Sequence, residues 1–205
     1  MADQLYLSLW YANFRFTQLP AALERVLQQF AAVGGSDKVK AATVYPLGWN
    51  ESPVYQWVHS DKDPAENAEP IQAITRATEI LHEDYAYEFE VQWELWAPDS
   101  EGGEQLAWKL EPRLVRITGF GPEFDEGSFE QNGQVRIDLG SDTPFLQEEV
   151  ALSAESAGYV KRNVQKLVDL TTLMQKNAGA ATRLLWSESG ENLAQKLIAR
   201  LQQLN

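Results

Sequence analysis

Glu88, Glu90 and Glu94 recur at even spacing in the run Tyr85–Trp96. On a strand, side chains two apart point the same way and sit roughly 6–7 Å from one another. That overlaps the ~5–9.5 Å between the paired carboxylates of glycoside hydrolases, and Trp96 on the same face would give a sugar a stacking platform. The same alternation arises on a solvated sheet face, with Arg113, Arg116 or Arg136 opposite on neighbouring strands. A second group, His59, Asp61 and Asp63, places an imidazole and two carboxylates within five residues. Those donors suit a metal ion, but Asp61, Asp63 and Pro64 suit a turn as well. Two acidic loops, one with Asp99, Glu101 and Glu104, the other with Glu123, Asp125, Glu126 and Glu130, offer oxygens to a hard cation, at spacings unlike an EF-hand.

Other motifs resolve toward structure. Gly119-Phe-Gly121 has two glycines of a dinucleotide fingerprint, yet Pro122 stands where a phosphate-binding helix would open, so it reads as a turn. Ser187 and Ser189 lack the Gly two residues before a nucleophile and read as the start of a helix. Six of the seven Trp and six of the seven Tyr lie in residues 1–108. Trp93 and Trp96 alternate to opposite sides of one strand, so the aromatics cannot all share one core face. Trp10, Trp57 and Trp96 are therefore candidate binding residues. Phe124 and Phe129 join them, because aromatics in an acidic loop must pack inward or meet a partner.

The elements that position these residues follow from periodicity. Alternation predicts strands over 5–16, 39–47, 54–58, 85–96, 105–110, 114–120 and 134–139, with Pro112 dividing the fifth from the sixth. Apolar spacing predicts helices from Thr17 to Gly34, from Pro70 to Leu81, over Val160–Met174 and over Leu193–Leu204. Residues 140–153 read as irregular, and Leu184-Leu-Trp186 as a short apolar plug or strand. The first 97 residues run β-α-β-β-α-β, the ferredoxin-like order. The expected class is α+β: an antiparallel sheet with a ferredoxin-like N-terminal half, extended by further strands and two C-terminal helices. No linker divides the chain, so one domain over 1–205 is expected, with 1–97 and 98–205 as its alternative sub-units.

Composition bounds the function. The chain has 205 residues, no Cys, two His and a net charge of −13. Without Cys there is no disulfide framework, no thiolate zinc site and no thiol nucleophile. The acidity is concentrated in residues 51–150, which carry net −17. That disfavours nucleic acid and suits a basic protein partner or self-association. No apolar run spans a membrane and no signal peptide opens the chain, so a cytoplasmic protein is expected.

Phe120-Gly-Pro-Glu-Phe, Arg136-Ile-Asp-Leu-Gly and Leu185-Trp-Ser-Glu-Ser-Gly-Glu-Asn resemble segments of a bacterial protein family of similar length with no known function. The resemblance implies a bacterial, single-domain chain and carries over no activity, cofactor or site residue. The residues themselves point to a non-catalytic binding protein with no cofactor, using an acidic, Trp/Tyr-rich sheet face. The alternatives are a carboxylate-dependent hydrolase built on Glu88, Glu90 and Glu94, or a small-molecule pocket.

Overall fold

Seven strands form one antiparallel sheet in the order β3-β2-β4-β5-β6-β1-β7. They are β1 (Gln4–Trp10), β2 (Ala41–Pro46), β3 (Tyr55–Val58), β4 (Tyr85–Pro98), β5 (Trp108–Phe120), β6 (Val135–Ser141) and β7 (Thr182–Ser187). The computed structural model describes residues 2–58, 68–99, 107–148, 153–190 and 193–202. Six helices accompany the sheet: α1 (Leu19–Gly34), α2 (Pro70–Ala77), α3 (Ser128–Gln131), α4 (Thr143–Leu146), α5 (Ala154–Lys176) and α6 (Leu193–Gln202). Among the described residues no helix is long and apolar enough to cross a membrane.

The α+β class and the antiparallel sheet hold; the ferredoxin-like N-terminal half does not. The element order β-α-β-β-α-β is present, but β1 leaves the other three strands of that half and pairs with β6 and β7. Leu5, Leu7 and Leu9 are fully buried. A strand this apolar on its inner face belongs in the middle of a sheet, with a neighbour on each side.

One sheet face carries the core. Leu5, Leu7 and Leu9 line up with Val135 and Ile137, Val115 and Ile117, and Phe89, Val91 and Trp93, all 3% exposed or less. Helices α1, α2, α4, α5 and α6 contribute to the same cluster. Helix α1 buries Leu19, Leu23, Val26, Leu27 and Phe30 at helical spacing, with Pro20 in its first turn and Gly35 at φ +93° as its cap. The cap at its start is Gln18, after a 3-10 turn over Phe16–Gln18, rather than Thr17. Leu19 and Leu23 sit so close to β5 that a Cβ on Gly119 would meet their methyl groups at 2.9–3.2 Å.

Strand β5 runs unbroken through Pro112, where two strands were expected. Strand β6 pairs only with Arg116–Gly119, so Pro112 has a neighbour on the β4 side alone. A missing N–H is tolerated at such a position. Residues 140–153, expected to be irregular, contain α4, and the 184–186 plug is edge strand β7.

Candidate functional site

Helix α5 covers the second sheet face at Trp96, but the face is open around the middle of β4, β5 and β6. Period-two alternation turns Glu88 and Glu90 of β4, Arg116 and Thr118 of β5, and Arg136 and Asp138 of β6 onto it. Registers align them in two rows across the strands. One row runs Glu90, Arg116, Asp138, Tyr6, Trp186; the next runs Glu88, Thr118, Arg136, Ser8, Leu184. Ala41 and Thr43 of β2 extend the rows beyond Glu90 and Glu88. The result is an open pocket of about 360 Å³, walled by Tyr45 and Trp49 and floored by the charged rows.

The aromatic wall is held from behind. Ala86, Phe120 and Phe124 form a small second core on this face, with Tyr45, Trp49 and Phe129 packed on it. Trp49 meets Phe124 edge-on at 5.2 Å and Phe120 at 6.1 Å. The loop after β5 supplies Phe124 by folding back over the sheet: Asp125 donates its N–H to the Leu47 carbonyl at 2.9 Å. Leu47, Asp125 and Glu126 all have positive φ, so the two loops that meet here accept backbone strain. Gly121 permits the approach, since a Cβ there would run into the Glu83 carbonyl.

The charges are unequally compensated. Arg116 Nε lies 3.2 Å from Glu90 Oε1 and 4.0 Å from Glu88 Oε1. Asp138 accepts from the Gly140 N–H at 2.9 Å and from the Gln4 amide. Glu88 is more enclosed than Glu90, its side chain 12% exposed against 29%. Burial raises its pKa above the ordinary value, and Arg116 only partly opposes this. Arg136 makes no hydrogen bond or ion pair among the described residues, and its Nε is buried without a partner. Three rings hold its guanidinium instead: Tyr6 at 5.2 Å, Phe120 at 5.3 Å and Trp49 at 5.7 Å. Burial lowers its pKa, opposed at longer range by Tyr6, Asp138, Glu88 and Asp125.

The sequence candidates separate. Glu88 and Glu90 meet around one guanidinium, while Glu94 is exposed and outside the pocket. None of the five aromatic candidates lines it. Trp57 pairs with the buried Ala42 and packs on the helix-side core. Trp96 lies under Tyr159 and Arg162 of α5. Trp10 donates its indole N–H to the Glu130 carbonyl at 3.0 Å. Phe124 is fully buried, and Phe129 packs against Phe14 at 6.0 Å. The acidic loop thus folds inward on its aromatics. His59, Asp61 and Asp63, with Glu101 and Glu104, lie outside the described residues. Among the described residues no cluster of three or more His, Asp or Glu could hold a metal ion. Ser187 and Ser189 are tied to Asp3, whose carboxylate accepts the Ser189 N–H at 3.1 Å, so they brace the turn after β7 against the start of β1.

Sequence reasoning passed over Tyr45, Trp49 and the caged state of Arg136. A larger groove, about 660 Å³, runs between α1 and α2, lined by Pro20, Ala21, Ile71 and Ile74. Glu24, Arg76 and Glu79 line it as well, but they form no ion pair with one another among the described residues. Comparison with protein-family models, curated proteins and solved structures finds no match for this chain.

Proposed function

We propose that this is a non-catalytic binding protein that takes a small polar ligand in the pocket on the open part of the second sheet face. Arg136 carries this conclusion. A buried N–H is almost always hydrogen-bonded within its own protein. Arg136 is half-buried, its guanidinium set against three rings and its buried Nε without an acceptor, at the wall of a concave site. The other features agree: the charges sit on rigid strands, and one wall is aromatic. Three carboxylates and two arginines line the pocket, a mixed set that supports a polar ligand more than a wholly basic protein partner or a second copy of the chain. Hydrolysis finds less support, because Arg116 engages Glu90 at 3.2 Å and so leaves Glu88 without a second free carboxylate beside it.

Native mass spectrometry on protein purified gently at low salt tests this, alongside Gln56→Trp. Gln56 is exposed on the edge strand β3 at the pocket mouth, so a large ring there blocks entry without disturbing the core. The expected result is a small molecule retained by the wild type and lost from the variant. Equal retention by both would overturn the proposal. So would a wild type that carries only a basic protein or a second copy.

A further inference from the structure

Glu88 and Arg136 occupy the same cross-strand row, with Thr118 between them. Two strand spacings put their backbones about 10 Å apart. Thr118 itself is covered, 2% exposed, while Glu88 and Arg136 on either side of it both line the pocket. The neighbouring charges are already engaged: Arg116 leans on Glu90 at 3.2 Å, and Asp138 is held by Gly140 and Gln4. Glu88 has a cation no closer than 4.0 Å, and Arg136 has no anion in contact. The two least compensated charges of the pocket therefore stand two strands apart on its lining.

From this geometry we infer that the ligand is a small zwitterion whose carboxylate rests on Arg136 and whose ammonium rests on Glu88, spanning the pocket between them. This identification rests on the binding role proposed above. A simple anion would meet Glu88, Glu90 and Asp138, and a simple cation would meet Arg116 and Arg136. A molecule with both charges matches each end and avoids leaving either unpaired. The ring cage fixes the guanidinium plane. Its Nε is buried and the residue lines the pocket, so the proposed contact falls to its terminal N–H groups.

The test is an NMR titration at pH 7 and constant ionic strength, following the Arg136 Nε–H and Trp49 indole N–H signals. The probes are sodium acetate, ethylammonium chloride and γ-aminobutyrate, which joins the two charges by a short chain. Linking both charges makes the second contact intramolecular, so γ-aminobutyrate is expected to saturate at least ~10-fold more tightly than either half. Arg136→Lys keeps the charge and loses the fork, and Glu88→Gln loses the charge; each is expected to weaken γ-aminobutyrate at least ~10-fold while the rest of the spectrum stays dispersed. Equal affinity for acetate or for ethylammonium overturns the inference, as does no saturation by any probe or no effect of Glu88→Gln. If these probes fail while a retained molecule still leaves with Gln56→Trp, the zwitterion is wrong and the binding role stands. If nothing is displaced by Gln56→Trp, the binding role itself falls.

Discussion

Glu88 sits where burial and a neighbouring cation pull its proton in opposite directions, and burial wins. The sign fixes a measurable consequence. Between the ordinary value of 4.5 and the higher folded value, the native chain holds a proton that the unfolded chain has released. Native stability from this group is therefore full below 4.5 and is lost as pH rises through the folded pKa. Glu88→Gln removes that slope. Thermal unfolding from pH 4 to 8 is expected to show a wild type that loses stability through this window relative to the variant, with the variant at least as stable at pH 7. Parallel profiles would mean that Glu88 is as well solvated folded as unfolded. At this scale the sequence was informative about composition of the face and silent about its environment. Period-two alternation alone puts Glu88 and Glu90 on one face, but the register sets only Glu90 opposite an arginine, Arg116, and Glu88 opposite Thr118. The cage around Arg136 draws Tyr6 from β1, Trp49 from the loop after β2 and Phe120 from β5, and no local pattern brings those three together.

Between elements, one polar side chain decides how the longest helix docks. Asn163 of α5 is fully buried on the face that also presents Val160, Leu167 and Leu170. Its carbonyl oxygen accepts the Trp96 N–H at 2.9 Å, and its amide donates to the Trp96 and Pro144 carbonyls, both at 2.8 Å. One side chain thus pairs the exposed edge of β4 and ties α4 to α5. Asn163→Ala would strand a buried N–H and two carbonyls, and urea unfolding is expected to show a loss of about 2–4 kcal/mol. A loss below ~1 kcal/mol would show that water replaces the amide at little cost. Helix α5 itself was legible from its apolar spacing, as were α1 and β4. Two element-level features were not: continuity of β5 through Pro112, and α4 within residues 140–153. Both depend on neighbours, the first on β6 ending before Pro112 and the second on Asn163 and the core receiving Phe145.

For the whole molecule, the decisive fact is where β1 goes. Residues 4–10 have both their partners beyond residue 134, in β6 and β7. The first 97 residues therefore contain β1, α1, β2, β3, α2 and nearly all of β4, and yet the sheet joining β1 to the rest runs through β5 and β6. This is why the linear order β-α-β-β-α-β misled: element order is readable from periodicity, whereas strand adjacency is settled by which apolar faces must be covered on both sides. Leu5, Leu7 and Leu9 can be buried only when the C-terminal half supplies β6 and β7. A fragment of residues 1–97 is accordingly expected to give a collapsed NMR amide spectrum with no cooperative thermal transition, because it would expose the inner face of β1 and the β5 side of β4 at once. Adding a fragment of residues 98–205 is expected to restore dispersion, since the two pieces then complete one seven-stranded sheet. A dispersed spectrum from 1–97 alone would show that the N-terminal half can close its own four-stranded sheet, and would make the ferredoxin-like arrangement a competing minimum for this sequence.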